Sequence, residues 1–290
     1  MKGKPAALTR AAFRKFPLPI ADSGDKNERG RILVIAGCRE VPGAALLCAL
    51  AAMRAGAGKL KIVTVERAAE ALGVAMPEAR IIAVPEGRDG GFARSAVKTI
   101  CRWAAGMDAV VAGPGIAPGK ANALLAAGLC DAGSALVLDA ALLAALPDKA
   151  DEVRGADEPP ILLPHSGEMA ALLDWDEGDV KADPLAAGRA CAERYGAFTL
   201  VKGKRSHVVA PDGRAWLYSG GSPGLSVSGS GDVLAGIVGG LRARGADALT
   251  ALLWGVWLHG EAGAALGRRI GNSGFLAREL PAEVPALMRS

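Results

Sequence analysis

Seven short apolar runs recur along this chain, each separated from the next by a longer, Ala-rich stretch of helical spacing. They are RILVIAG (31–37), KLKIVTV (59–65), RIIAV (80–84), DAVVAG (108–113), ALVLDA (135–140), PILLP (160–164) and FTLVKG (198–203). Successive residues in these runs are apolar, so both faces of each strand must be covered. Strands of that kind alternating with helices dictate an α/β fold: a mostly parallel central sheet flanked by helices on both faces. After FTLVKG the pattern changes to SHVVAPDGRAWLY, two β-type runs around the turn residues PDG, which predicts an antiparallel hairpin late in the sheet. Helical spacing follows over 230–244, 247–267 and 275–288, and the acidic, Pro-containing segment 148–159 reads as an exposed loop.

The chain has 290 residues, enough for one large α/β domain. Neither a Pro/Ser-rich linker nor a repeat divides it, so residues 1–290 read as a single domain. Hydrophobic residues make up 51% but aromatic ones only 4%, so Ala, Val, Leu and Ile must build the core. Five cysteines at 38, 48, 101, 130 and 191 form no CxxC pair; wide spacing and an odd count suit buried thiols in a reducing compartment. The N-terminal MKGKPAALTRAAFRKF has no continuous apolar core, and the apolar stretch from Ala251 to Leu258 is too short to cross a bilayer. A cytoplasmic protein is expected. The net charge of +4 is scattered, with no basic run interleaved with aromatics. That pattern argues against nucleic acid or a membrane as partner and favours a small anionic ligand.

In open α/β sheets ligands sit beyond the carboxyl ends of the strands, so the residues that follow each run carry most functional weight. After the first run, Gly43 and Ala44 open a helix, where small residues would let a ligand approach the helix N-terminus; a tight connection explains the same residues. GPG at 113–115 poses the same choice. In LLPHSGEMAALL (162–173), Glu168 suits the first turn of a helix as a capping group, whereas His165 is placed to hydrogen-bond a substrate. His207 in the hairpin and His259 in a long apolar helix read as structural. VKGKRS (201–206) groups Lys202, Gly203, Lys204, Arg205 and Ser206, which suits nucleotide phosphates or a solvated turn.

The stretch GLSVSGSGDVLAG (224–236) is the most telling. Ser228, Gly229, Ser230 and Gly231 can offer consecutive backbone N–H groups to a phosphate, and the helix that begins there adds its positive end. Asp232 then stands where phosphoryl transfer needs a base for an attacking hydroxyl. A simple cap would not require the flanking glycines.

The combination GSGDVLAG, the preceding KG and the upstream PHSGE resembles the ribokinase-like superfamily, and within it the NAD(P)H-hydrate dehydratases that use ADP or ATP. RILVIAG, MPEARI, AVVAGPG, LVLDA and GVWLHGEAG follow in the family's order, so the resemblance spans nearly the whole chain. It implies repair of hydrated NADH or NADPH, of the S form, by phosphorylation of the ring hydroxyl and loss of phosphate. Carried over by motif, Ala44, Gly115 and His165 would meet the hydrated dinucleotide. Lys202, Gly203, Lys204, Arg205, Ser206 and Gly231 would meet the adenine nucleotide, and Asp232 would be the base, itself in contact with the substrate. The resemblance also implies Mg2+, ADP or ATP as co-substrate, and a homo-oligomer such as a tetramer.

Some positions depart from the family pattern. SGSGD replaces a threonine-containing loop, Ala141 stands where many relatives carry a second aspartate, and Cys38 where a serine is common. Epimerisation of the hydrate, the work of a fused domain in some bacterial relatives, is expected to need a separate protein. Two competing readings predict different behaviour: a kinase of the same fold acting on a vitamin-precursor alcohol would give a stable phosphorylated product, and a non-catalytic nucleotide sensor would bind without turnover.

Overall fold

The computed structural model describes residues 3–19 and 29–289. Its strands are β1 (Ala6–Ala7), β2 (Arg31–Ile35), β3 (Lys59–Val65), β4 (Ala79–Val84), β5 (Ala109–Ala112), β6 (Ala135–Leu138), β7 (Ile161–Leu162), β8 (Phe198–Val201), β9 (Ser206–Val209) and β10 (Ala215–Tyr218). They form a single ten-stranded sheet in the order β1-β10-β9-β8-β7-β6-β5-β2-β3-β4. From β8 through to β4 every pairing is parallel. The predicted hairpin is β9–β10, antiparallel within itself and to β8. Each residue of β5 and β6 is buried, as is each of Ile32–Ile35 in β2, so helices must cover both faces as the apolar runs required.

Three departures from the sequence expectation have physical causes. PILLP yields only the two residues of β7 because prolines bracket it and cannot donate to a ladder, although Pro160 and Pro164 still accept through their carbonyls from Phe198 and Lys202. Segment 148–159 is not a loop throughout: Ala150–Arg154 is a short helix that buries Val153, and the acidic residues after it stay exposed. The last helix begins at Leu280 rather than 275, after a 3-10 turn in which the Glu279 carboxylate accepts from the Leu276 N–H at 2.6 Å.

The short strand β1, which has no apolar pattern, pairs in parallel with β10. It is followed by a 3-10 turn whose Phe13 stacks on Trp254 at 4.1 Å between ring centroids. Among the described residues no helix is long and apolar enough to cross a membrane.

The order of strands reverses between β2 and β5, because the chain builds β2, β3 and β4 outward and then returns to the other side of β2. Such a switch point opens a crevice at the carboxyl ends. One wall is the helix Gly43–Arg54, which packs against the helix Ser230–Ala243. Their backbones approach so closely that a Cβ at Gly236 would lie 2.1 Å from the Cys48 carbonyl oxygen. Glycine there is what lets the second helix lie against the first, and so fixes where its N-terminus points.

Candidate active site

Around the switch point, the loops after β2 and β5 are tied together. The Gly37 N–H donates to the Pro114 carbonyl at 2.8 Å, and Gly113 donates to Ile35 at 3.2 Å. Gly115 has φ +62°, and a Cβ on it would come within 2.4 Å of the Ala44 side chain. The fold therefore brings Ala44 and Gly115 together. Ala44 itself is buried, so a ligand meeting this pair would be presented chiefly with backbone.

His165 lies two strands further along the sheet, past the end of β7. It is the N-cap of the helix Ser166–Leu173: its Nδ1 accepts from the N–H of Gly167 at 3.0 Å and of Glu168 at 3.2 Å. Glu168 reciprocates, its Oε2 accepting from the His165 N–H at 2.8 Å. The capping role expected of Glu168 is thus present, but histidine shares it. With Nδ1 used as acceptor, the ring proton falls to Nε2, on a side chain that is 59% exposed.

Behind that cap lies a charge cluster. Lys202, at the end of β8, extends its ammonium to Asp139 Oδ1 at 2.7 Å and stands 3.7 Å from Glu168 Oε2. Asp139 directly follows β6, is 2% exposed, and also accepts from the Ala140 N–H at 2.9 Å. Burial pushes its pKa up, with Glu168 adding to the rise and Lys202 opposing it. Burial works against the Lys202 ammonium in turn, but Asp139 and Glu168 outweigh it and hold its pKa above the ordinary lysine value.

Asp232 completes the cluster from the opposite wall. It sits in the first turn of Ser230–Ala243, whose N-cap is Gly229 at φ +87° and which no side chain caps. The positive φ at Gly229 favours glycine there, whereas the nearest atom to an added Cβ, Leu47 Cδ1 at 2.4 Å, ends a flexible side chain that could give way. Among the described residues no acceptor meets the N–H groups of Gly231 and Asp232. Gly231 faces the charge cluster, since a Cβ there would point to Lys202 Nζ at 3.8 Å and Asp139 Oδ2 at 3.9 Å. The Asp232 carboxyl is pushed up to about 7, first by burial and then by Asp139, with Lys202 pulling the other way. A carboxylate poised near neutrality beside open N–H donors and a lysine suits proton abstraction coupled to phosphate binding.

The run Lys202–Ser206 divides. Lys202 turns inward, whereas Gly203, Lys204 and Arg205 form an exposed turn closed by the Ser206 hydroxyl donating to the Gly203 carbonyl at 3.2 Å. Asp139 escaped the sequence reading, although a carboxylate placed immediately after an entirely apolar run was the signal that could have found it. Ala141 is a partly buried apolar side chain packed against the core.

Comparison with known proteins matches this architecture. The family model for NAD(P)H-hydrate dehydratase covers residues 32–286. The chain is 45% identical over 283 residues, 97% of its length, to the ADP-dependent (S)-NAD(P)H-hydrate dehydratase of Xanthomonas campestris pv. campestris, covering 95% of that protein. It is 32% identical to the bifunctional NAD(P)H-hydrate repair enzyme Nnr of Moorella thermoacetica, of which it spans 54%. The crystal structure of the Bacillus subtilis ADP/ATP-dependent NAD(P)H-hydrate dehydratase, co-crystallised with ATP and Mg2+, superposes with a TM-score of 0.83 at 26% identity, over 99% of this chain and 98% of that one. The family model over residues 32–286 and the similarity along almost the entire length to the Xanthomonas dehydratase place the chain in the NAD(P)H-hydrate dehydratase family.

Proposed function

We propose that this protein dehydrates the S form of hydrated NADH or NADPH, with ADP as phosphoryl donor, and so restores the reduced cofactor. The observation that carries the reading is Asp232: a carboxyl poised near neutral pH in the first turn of a helix whose N-terminal N–H groups are unclaimed. The 45% identical relative is named as ADP-dependent, which supports ADP over ATP.

In this mechanism the nucleotide's terminal phosphate lies against the N–H groups of Gly231 and Asp232, and Lys202 neutralises its oxygens. Lys204, Arg205, Gly203 and Ser206 flank the nucleotide from the β8–β9 turn. The hydrated nicotinamide lies over Ala44 and Gly115, with the His165 Nε2 proton available as a donor. Asp232 removes the proton of the ring hydroxyl as its oxygen attacks phosphorus and the bond to the nucleotide breaks. The ring nitrogen's lone pair then expels phosphate, and a proton leaves the adjacent carbon to restore the double bond. Asp139 does not touch the substrate in this scheme; it holds Lys202 at the right depth and keeps the Asp232 carboxyl basic.

Mg2+ fits the donor set as a companion of the phosphates. Among the described residues no group of three His, Cys, Asp or Glu converges as a ligand cage. An ion of this kind takes one or two carboxylates and fills its shell with phosphate oxygens and water. Glu168 and Asp139 are the carboxylates beside Lys202 that could serve, and the ion would add charge neutralisation at the transferring phosphate. We also place the protein in the cytoplasm, as a homo-oligomer whose chain is one domain.

Mixing the protein with hydrated NADH, Mg2+ and ADP or ATP should restore the absorbance of reduced nicotinamide and release inorganic phosphate. A stable phosphorylated alcohol in its place would favour a kinase, and nucleotide binding without any turnover would favour a sensor.

A further inference from the structure

Directly beneath the open N-terminus lies a polar pair that no step above uses. Ser230, between Gly229 and Gly231, is 6% exposed, and its Oγ lies 2.9 Å from the Nε2 of His259. His259 belongs to the helix Ala248–Arg269, most of whose residues are buried and apolar. Its partly buried imidazole finds its one side-chain hydrogen-bond partner among the described residues in Ser230.

We infer that His259 is a positioning residue for phosphoryl transfer: by gripping Ser230 it fixes the helix turn that aims the Gly231 and Asp232 N–H groups and the Asp232 carboxylate into the charge cluster. The geometry leaves that turn few other constraints. Gly229 provides no side chain and sits at φ +87°, and no side chain caps the helix. Ser230 contributes one local tie, its N–H donating to the Val227 carbonyl at 3.2 Å. The glycines that open the backbone to a phosphate also leave it free to swing, and a pin from a neighbouring helix answers that freedom. His259 suits the task because burial presses its pKa down to about 4, against a backbone hydrogen bond to Ser230 that raises it. The ring stays neutral through the working pH range and brings no positive charge to compete with Lys202.

The inference rests on the proposed dehydration for its kinetic readout, but nucleotide binding tests it independently. His259→Ala, Ser230→Ala and the double variant should be compared with the unaltered protein for kcat, KM and ADP affinity by calorimetry, alongside Tm. Each single change is expected to lower kcat about 10-fold or more, and the double change scarcely further, since residues acting as one unit are non-additive. ADP affinity should weaken in parallel, and His259→Gln, which can still meet the Ser230 hydroxyl, should recover part of both. Variants that lose Tm but keep kcat and ADP affinity would show a purely structural histidine and overturn the inference. Multiplicative losses would do the same. If the unaltered protein fails to turn over hydrate yet ADP affinity shows the coupling, the dehydration reading fails and the positioning role stands. Should His259→Ala fail to fold, Ser230→Ala alone decides: unchanged kcat and ADP affinity there contradict the inference.

Discussion

Two of the helices that begin at the carboxyl edge of the sheet start in opposite ways. At Ser166–Leu173 the chain satisfies itself: His165 and Glu168 exchange hydrogen bonds, and the cap is complete. At Ser230–Ala243 it does not: a left-handed glycine replaces the cap, the N–H groups face a lysine, and the first-turn carboxylate is raised to about 7. The first arrangement spends its polar groups on stability. The second leaves its N–H groups unclaimed, the arrangement that suits an anion. On that contrast rests the proposal that the open terminus performs the chemistry and the closed one supports it.

Removing the carboxylate at the open terminus should produce the largest effect. Asp232→Asn keeps shape and polarity but loses the base, so kcat should fall by about 10²–10⁴-fold while calorimetry shows ADP affinity retained. If the equivalent exchange at the closed terminus, Glu168→Gln, caused the greater fall, the assignment of roles would be reversed.

Lys202→Ala comes next. It strips the buried Asp139 of its ion partner at 2.7 Å, and leaving such a charge uncompensated costs roughly 3–5 kcal/mol. Both Tm and ADP affinity should drop, the former most at high pH where Asp139 must be ionised. Unchanged ADP affinity would remove Lys202 from the phosphate site.

Asp232 should also tax stability. Its folded-state pKa of about 7 exceeds the ordinary 3.8, so the folded protein holds a proton that the unfolded chain has already released between these values. Stability contributed by that proton is full below pH 4 and is lost as pH rises toward 7, in a total on the order of 2–4 kcal/mol. Asp232→Asn should therefore melt higher than the unaltered protein at pH 8, with little difference at pH 4. Equal melting temperatures at both pH values would mean that the carboxyl is not perturbed.

The smallest expected change belongs to the closed terminus. His165→Ala should cost about 0.5–2 kcal/mol, as lost caps do, and raise KM for the hydrate more than for ADP. Equal KM effects would reduce His165 to its cap.

The parallel sheet was legible because burial on both faces leaves an unbroken apolar signature, as in β2, β5 and β6. Asp232 and Lys202 stood out for a related reason: each adjoins a glycine at the edge of a regular element, Asp232 following Gly231 and Lys202 preceding Gly203. The remainder depended on contacts between distant segments. The sequence put Ser166 or His165 near the cap, but which of the two side chains caps the helix could not be read, because histidine is an uncommon N-cap and the choice depends on where its ring turns. Asp139 acquires meaning only when Lys202, far along the chain, reaches it, and no local pattern announces that pairing. Lys204 and Arg205 sit beside Lys202 in sequence, yet a turn directs them outward. β1 is two exposed alanines whose strand character comes entirely from β10.

The pH dependence of kcat/KM for hydrated NADH, in the unaltered protein and in Asp139→Asn, tests the central claim most directly. The unaltered protein should gain activity with a slope of one up to an apparent pKa of about 7, the value that burial and Asp139 give Asp232. In Asp139→Asn the limb should move to lower pH, because a neighbouring negative charge is gone and Lys202 is left less neutralised. A profile flat from pH 5 to 9, or a limb unmoved by the substitution, would contradict Asp232 as the base held poised at an open helix terminus.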